Sequence, residues 1–342
     1  MTLLLGLLIF SFIVTSFAII PFINLLYKIR FYKKHTTILN KQSNVAVEHI
    51  KSKARTPEGG GLLIIFSVCL VFALIFPIIK FLGVYITNVY PIEPEITIIF
   101  FTFLSFGLLG LYDDIVGFFE LDRNKEGFAG LKAGHKFAIQ GILGLAIGSM
   151  LYYNLGISIL NIPFIGVFNL GIFYIPLAAI LVVGFSNAVN ITDGLDGLAG
   201  GLLMITLFGF WLLSASILDT PLSIFVALWI GALIAFLYFN VLPARIFMGD
   251  VGALSFGATL AVVGLLVGKI VALVVMGSPF IIIGLTSFLQ ILSKKFTGKR
   301  IFPIAPLHYW LLRLGWPESK IVMRAWLAGI MVVVFGVWLA VI

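Results

Sequence analysis

Long apolar runs separated by short polar segments dominate this chain. Ten runs approach the roughly 20 residues that a helix needs to cross a bilayer. They cover residues 2–27, 60–82, 96–118, 134–153, 170–186, 198–217, 221–239, 253–275, 277–293 and 320–342. Residues 152–171 alternate enough to predict a short β-hairpin. The pattern predicts an all-α integral membrane protein of about ten transmembrane helices, a single domain over residues 1–342 with a short exported hairpin.

Composition supports this class. The 342 residues are 61% hydrophobic and 11% charged, whereas soluble proteins are about 45–50% apolar and about 25% charged. So few charges cannot cover a water-exposed surface, which excludes soluble, secreted, disordered and coiled-coil proteins. The single cysteine, Cys69, excludes an intrachain disulfide. The first run has no basic region before it and predicts a retained helix rather than a removed signal.

The net charge of +8 could indicate nucleic acid or anionic lipid headgroups as a partner. However, the loops after the first, third, fifth, seventh and ninth spans, with their flanks, hold 20 of the 22 Lys and Arg residues. Only Lys80 and Lys269 lie elsewhere. Positive charge marks cytoplasmic loops, so both termini are expected outside. The partner is therefore expected to be membrane lipid and not nucleic acid.

Five aspartates lie at the ends of predicted spans. Asp113 and Asp114 close the third span, Asp193 and Asp196 precede the sixth, and Asp250 precedes the eighth. Carboxylates near the hydrocarbon region are costly and are usually functional. Asp193, Asp196 and Asp250 could instead be N-caps, and Asp113 or Asp114 could be an interface residue at a helix C-terminus. However, three loops carry the five aspartates to the same cytoplasmic depth. We therefore expect the chemistry to face the cytoplasm.

The spacing of the polar residues indicates phosphoryl chemistry. Asp193 and Asp196 share one face if their segment is helical, and Asn187 and Asn190 repeat that spacing. The two amides could bind a ligand or join neighbouring helices. Glycines flank Asp250 just before a helix, where free N–H groups favour phosphate. Because Mg²⁺ prefers oxygen ligands and phosphates, the pattern predicts metal-assisted phosphoryl transfer.

Three segments carry a family resemblance: LYDD at 111–114, NITDGLDGLAGG at 190–201 and FNVLPARIFMGDVG at 239–252. With them the chain resembles, over residues 49–330, the polyprenyl-phosphate N-acetylhexosamine-1-phosphate transferases of glycosyltransferase family 4. The resemblance implies ten transmembrane helices and Mg²⁺-dependent transfer of a sugar phosphate. The donor would be a UDP-sugar, the acceptor undecaprenyl phosphate and the released product UMP.

Further segments resemble one branch, the phospho-N-acetylmuramoyl-pentapeptide transferases. They are residues 294–326, 130–136 and 53–61. This branch implies UDP-MurNAc-pentapeptide as donor, lipid I for peptidoglycan as product, and a bacterial plasma membrane with a cytoplasmic active site. A homodimer is often formed in the family. The chain departs from the branch in three motifs. Tyr309 and Trp310 follow His308 where three His are usual. TPEGGG replaces TPTMGG, and Gly117 replaces a Lys.

These departures leave UDP-GlcNAc or another UDP-HexNAc open as the donor for a different envelope glycan. An ion or solute transporter is a remote alternative, because acids within helices often mark ion paths. A catalytically inactive scaffold in envelope assembly is a further alternative.

The resemblance also implies residue roles. Asp250 would coordinate Mg²⁺ with Asp193 and Asp114, and Asp113 and Asp114 would contact the lipid phosphate. The substrate-binding residues would be Lys53, Arg55, Lys136, Asn187, Asn190, Gly194, Leu195, Asp196, Asn240 and His308. An aspartate could form an aspartyl-phosphosugar, or the lipid phosphate could attack directly. The second pKa of a phosphate is about 6, which favours direct attack near neutral pH.

Overall fold

A bundle of long apolar helices makes up most of the protein. The computed structural model describes residues 2–31, 56–81, 86–120 and 131–342. Its helices are α1 Thr2–Lys28, α2 Gly60–Phe81, α3 Ile92–Glu120, α4 Ala133–Leu155, α5 Tyr174–Thr192, α6 Leu198–Ser216, α7 Thr220–Asn240, α8 Gly249–Leu266, α9 Ile270–Met276, α10 Ser278–Thr297, α11 Leu307–Arg313 and α12 Glu318–Val341. Within these ranges, ten helices are long and apolar enough to cross a membrane. The predicted all-α multi-pass class is confirmed.

A two-stranded antiparallel hairpin connects α4 to α5. Strand β1 spans Ile159–Ile162 and strand β2 spans Gly166–Asn169. Ile159 pairs with Asn169 and Ile162 pairs with Gly166. The alternation over residues 152–171 therefore predicted the hairpin correctly.

The predicted eighth span is wrong in its extent. Residues 253–275 were expected to form one helix, but α8 begins at Gly249 and ends at Leu266, and α9 starts at Ile270. Gly268 has a φ of +72° in the break, a left-handed conformation that glycine adopts without steric cost. Lys269 consequently lies in a turn and not inside a helix. Hydropathy missed the break because the residues on both sides of it are apolar.

Helices α7 and α8 form the centre of the bundle. In the most apolar stretch of each of these two helices, 89% of the residues are buried, whereas the share is 22% in α10 and 28% in α1. Aromatic rings fill the middle, with Phe103 packed edge-on against Phe225 and Trp229. Outer helices leave large apolar side chains exposed, including Phe17 and Ile142. Such a surface is suited to lipid and not to water.

The end of the bundle that carries Asp113, Asp193 and Asp250 is called here the aspartate end. Gly110 lets α3 approach α8 closely there, because an added Cβ would collide with the backbone of Asp250. Small residues allow this kind of approach between membrane helices. The contact lies one helical turn before Asp113, so the packing of α3 on α8 also places the acidic residues.

Substituting Gly110 by Ala should separate α3 from α8. The added methyl group meets backbone atoms, and overpacking of this kind costs about 1–3 kcal/mol. Thermal unfolding in detergent should show a lower midpoint. Gly6→Ala on α1 is the matched control, since nothing lies within 4 Å of its added Cβ. An equal midpoint for both variants would contradict the close approach.

Candidate active site

A lysine bridges two aspartates from different helices at the aspartate end. The Lys136 ammonium, in the first turn of α4, donates to Asp113 Oδ2 at 2.7 Å and to Asp250 Oδ2 at 2.6 Å. The backbone N–H of Leu131 donates to Asp113 Oδ1 at 2.6 Å. All three charged side chains keep 11–17% exposure. Two carboxylates and one ammonium thus form a cluster that solvent and ligands can reach.

Asp114 organises the backbone at the start of α8. Its side chain is buried, and its two oxygens accept the N–H groups of Asp250 at 3.1 Å and Val251 at 3.0 Å. The first N–H groups of a helix lack partners within the helix, and a negative charge there is favoured by the helix dipole. Gly249 has a φ of +75°, and an added Cβ would lie 2.9 Å from Asp114 Oδ2. Asp114 therefore positions Asp250 through its backbone.

A tight turn, residues 193–197, links α5 to α6. The two aspartates of this segment, Asp193 and Asp196, were predicted to share a helical face, but α5 ends at Thr192 and α6 begins at Leu198. The condition for that shared face, a helical segment, is not met: Asp193, the C-cap of α5, has φ −76° and ψ 53°, and Gly197, with a φ of +76°, precedes α6. Asp196 is buried, and its Oδ2 accepts the N–H of Ala244 at 2.9 Å. The turn is thereby tied to the connection between α7 and α8.

His308 packs against the backbone of this turn. An added Cβ on Gly194 would lie 2.5 Å from His308 Nε2, and the imidazole ring is buried with its centroid 4.4 Å from that of Tyr309. The hydroxyl of Tyr309 donates to the carbonyl of Gly194 at 3.4 Å. Burial raises the pKa of Tyr309 to about 12, with further contributions from the carboxylates of Glu318 and Asp193. Tyr309 therefore keeps its proton and remains a donor at neutral pH.

The predicted asparagines occupy three different environments. Asn187 donates to Gln140 Oε1 at 2.7 Å and to the carbonyl of Val183 at 2.8 Å, so its amide joins α5 to α4. Asn240 is buried and donates to the carbonyl of Ile246 at 2.9 Å, which closes the connection between α7 and α8. Asn190 is half-buried on α5. The side-chain amides of Asn187 and Asn240 thus make hydrogen bonds that hold parts of the protein together.

Asn190 lies at about the depth of Asp250. Ser186 on α5 donates to the carbonyl of Leu254 on α8 at 3.1 Å. Asn190 is four residues after Ser186, and Asp250 is four residues before Leu254. The two helices are antiparallel, and four residues rise about 6 Å, so both side chains are displaced by the same amount towards the aspartate end.

An apolar cavity of about 670 Å³ opens between α4, α5 and α10. Its lining includes Phe137, Leu145, Ile180, Leu285 and Phe288, with Asn187 as a polar contribution. Phe137 directly follows Lys136, so the cavity begins next to the charged cluster. This position suits a ligand with a long apolar chain and an anionic head.

Two of the predicted substrate-binding residues, Lys53 and Arg55, lie outside the described residues.

The predicted metal ligands are not gathered into one metal site in the described part of the chain. Among the residues that the structure describes, no three His, Cys, Asp or Glu side chains are arranged to hold a metal ion. The metal set of Asp250, Asp193 and Asp114 therefore stays a prediction.

Sequence reasoning overlooked Glu318 and Trp326. Glu318 accepts the N–H of Asp196 at 2.6 Å, and Trp326 Nε1 donates to the carbonyl of Gly197 at 3.1 Å. A Glu in the first turn of a helix is ordinary, so nothing local marked it as important. The only signal was its place in the segment 294–326, which carries the branch resemblance.

Comparison with known proteins defines the class. The family model described as glycosyl transferase family 4 matches residues 96–268. The chain is 38% identical over 313 residues to the phospho-N-acetylmuramoyl-pentapeptide-transferase of Clostridium perfringens strain SM101, covering 91% of this chain and 89% of that relative. It is 35% identical over 292 residues to the protein of the same name from Bacillus pumilus strain SAFR-032, covering 85% and 86%.

The chain therefore belongs to glycosyl transferase family 4, and within it to the family of the phospho-N-acetylmuramoyl-pentapeptide-transferases. It is a multi-pass membrane protein and a phospho-sugar transferase.

Replacing Asp114 by Ala should loosen the start of α8. The N–H groups of Asp250 and Val251 lose their acceptor, and an unsatisfied buried donor costs about 1–3 kcal/mol. Hydrogen–deuterium exchange should quicken at these amides, and the unfolding midpoint should fall. Glu93→Ala, an exposed carboxylate in the first turn of α3, serves as control. Unchanged exchange at residues 250–251 would contradict the capping role.

Proposed function

We propose that this protein transfers phospho-N-acetylmuramoyl-pentapeptide from its UDP donor to undecaprenyl phosphate. The products are UMP and lipid I. The observation that carries the proposal is the Asp113–Lys136–Asp250 cluster beside an apolar cavity, in a chain whose relatives bear the name of this activity. The cluster handles anionic groups, and the cavity accepts a lipid tail.

The acceptor would approach through the cavity between α4, α5 and α10. Its prenyl chain would lie against side chains such as Ile180 and Phe288, because burial of apolar surface is favourable by roughly 25 cal/mol per Å². Its phosphate would then reach the end of the cavity next to Lys136. This arrangement keeps the lipid in the bilayer while its head meets a soluble donor.

The donor nucleotide would bind at the turn of residues 193–197. Gly194, Leu195 and Asp196 belong to this turn, and Asn190 lies just before it. The donor diphosphate would extend to Lys136, whose ammonium supplies positive charge. Lys136 would exchange at least one of its two carboxylate bonds for a phosphate oxygen when substrate binds.

The residues of the cluster fit Mg²⁺. This ion often takes only one or two protein carboxylates and completes its shell with water and substrate phosphates. Asp113 and Asp250 each bring an oxygen within 2.7 Å of one cationic nitrogen, so they can converge on a single cation. We place the ion at Asp250 and Asp113 instead of the predicted set of Asp250, Asp193 and Asp114, because Asp250 and Asp113 already face one cation, whereas Asp114 binds the start of α8. When bound, the ion would supply charge neutralisation for the diphosphate.

The reaction that we favour is direct displacement. An oxygen of the lipid phosphate attacks the phosphorus that carries the sugar, the bond from that phosphorus to UMP breaks, and UMP leaves with the electron pair. Phosphoryl transfer depends mainly on positioning and charge stabilisation. Lys136 would stabilise the developing negative charge, and the cavity would orient the attacking phosphate.

The sequence also supports an orientation in the membrane. The loops after the first, third, fifth, seventh and ninth predicted spans, with their flanks, hold 20 of the 22 basic residues, and such loops are cytoplasmic. The active site would thus face the cytoplasm from the bacterial plasma membrane, where a UDP-linked donor is dissolved. The five aspartates of the candidate site lie at one end of the bundle, whereas transporter sites lie near the midplane.

Asp250→Asn should lower turnover by about 10²–10³-fold, the loss seen when one charge-stabilising group is removed from an active site. UMP release by purified protein with UDP-MurNAc-pentapeptide, undecaprenyl phosphate and Mg²⁺ measures this. Glu93→Gln, an exposed carboxylate at the other end of α3, should leave turnover unchanged. Full activity of a folded Asp250→Asn protein at ordinary Mg²⁺ would contradict the proposed metal role.

Lys136→Ala should raise the apparent KM for the UDP donor more than the KM for the lipid. The loss of one charge contact should change the donor KM by about tenfold or more. Lys132→Ala, an exposed lysine just before α4, is the control. Equal changes in both KM values would argue against a donor-phosphate role.

The altered run His308–Tyr309–Trp310 makes the identity of the donor a separate question. We expect UMP release with UDP-MurNAc-pentapeptide to exceed that with UDP-GlcNAc. The same assay with the two donors measures the preference. A preference for UDP-GlcNAc would assign the protein to another envelope glycan.

A further inference from the structure

The C-terminal part of the chain holds the turn of residues 193–197 at three backbone groups. The Tyr309 hydroxyl donates to the carbonyl of Gly194 at 3.4 Å. Glu318 Oε1 accepts the N–H of Asp196 at 2.6 Å. Trp326 Nε1 donates to the carbonyl of Gly197 at 3.1 Å. These bonds connect positions more than 110 residues apart, so they fix the turn against a separate part of the bundle.

The bond from Asp196 to Glu318 is the strongest of the three. Its acceptor is a carboxylate, and hydrogen bonds to ionised groups are shorter and roughly twice as strong as neutral ones. Both residues are buried, so water cannot easily take the place of the carboxylate, and loss of this acceptor would leave the Asp196 N–H unsatisfied. Asp196 in turn accepts the N–H of Ala244 through its side chain. One residue of the turn therefore connects the start of α12 to the connection between α7 and α8.

Helix α12 is well placed to act as a fixed support. Pro317 precedes Glu318 and presets the backbone at the start of the helix. Trp326 packs where a side chain on Gly201 of α6 would otherwise lie, which holds α12 close to the first turn of α6. Glu318 is thus carried on a helix that is already docked beside the turn.

The three residues that bond to the turn lie outside the segment that defines the wider family. The glycosyl transferase family 4 model matches residues 96–268, which include the turn, whereas Tyr309, Glu318 and Trp326 follow that segment. A part of the chain beyond the matched core thus sets the backbone geometry of a turn within the core.

We infer that Glu318 is a positioning residue that sets the affinity for the nucleotide donor by fixing the backbone of residues 194–197. This inference rests on the proposed function, in which the turn binds the nucleotide. Glu318 itself contacts the turn and acts through it. Loss of its carboxylate frees the Asp196 amide and lets the turn adopt conformations that bind the donor poorly.

Steady-state kinetics with Glu318→Ala, Glu318→Gln and Ser319→Ala test the inference. Glu318→Ala should raise the KM for UDP-MurNAc-pentapeptide about tenfold, which corresponds to about 1.4 kcal/mol, and leave the KM for undecaprenyl phosphate within about twofold. Glu318→Gln retains a carbonyl acceptor and should recover most of the donor affinity. Ser319→Ala changes an exposed neighbour and should match the wild-type protein.

Three kinetic results would overturn the inference. One is a donor KM that Glu318→Ala leaves unchanged. Another is an equal rise in both KM values, which indicates general loss of structure. If Glu318→Gln is as impaired as Glu318→Ala, a hydrogen-bond acceptor is not what the position supplies, and the inference also fails.

Hydrogen–deuterium exchange and UMP binding separate this inference from the proposed reaction. The Asp196 amide should exchange faster in Glu318→Ala than in Ser319→Ala, and UMP should bind about tenfold more weakly. These measurements need no turnover. If the wild-type protein releases no UMP from the donor, the proposed function fails while the exchange result still tests Glu318. Unchanged exchange and UMP binding would reject the role of Glu318 whatever the activity.

Discussion

The site depends on the contact between the Asp114 carboxylate and the first N–H groups of α8. A buried carboxylate needs donors, and the start of a helix has N–H groups without partners in the helix. Each satisfies the other. Gly110 permits the contact by letting α3 lie against the backbone of Asp250. Because Asp113 adjoins Asp114 in the chain, the same contact places Asp113 near Asp250, where Lys136 can bond to both.

The charges of Asp113, Lys136 and Asp250 explain why a reaction between two anionic substrates needs further positive charge at this site. Two carboxylates share one ammonium, so the three groups carry a net negative charge. A diphosphate and a lipid phosphate would be repelled by such a cluster unless Lys136 turned to them and a divalent cation joined the carboxylates. Electrostatics as well as ligand chemistry therefore supports the proposal of Mg²⁺.

The turn of residues 193–197 shows how a short loop at a membrane surface is kept in one conformation. Its backbone groups cannot all pair within the turn, so neighbouring elements supply partners. Three of these partners come from the C-terminal part of the chain. The side chain of Asp196 also accepts the N–H of Ala244 in the connection between α7 and α8. Such a turn is suited to discriminate between ligands, because its shape is decided before a ligand arrives.

The sequence by itself determined the class, the number of membrane-length helices in the described part of the chain, and the position of the acidic residues near helix ends. A bilayer imposes the length and apolar character of each span, and Asp113, Asp193 and Asp250 stand where spans begin or end. Alternation was also sufficient for the β1–β2 hairpin.

Tertiary structure decided the rest. Uniformly apolar helices carry little information about which faces meet, so the pairing of α3 with α8 was not visible in the sequence. Joining of helices was one alternative for Asn187, but its partner Gln140 was not visible. The bond of Asn240 and the break after α8 at Gly268 were not visible either. The contact of Glu318 with the turn was not visible for a different reason. Its partner is the backbone N–H of Asp196, and residue identity does not show which backbone groups need an outside partner.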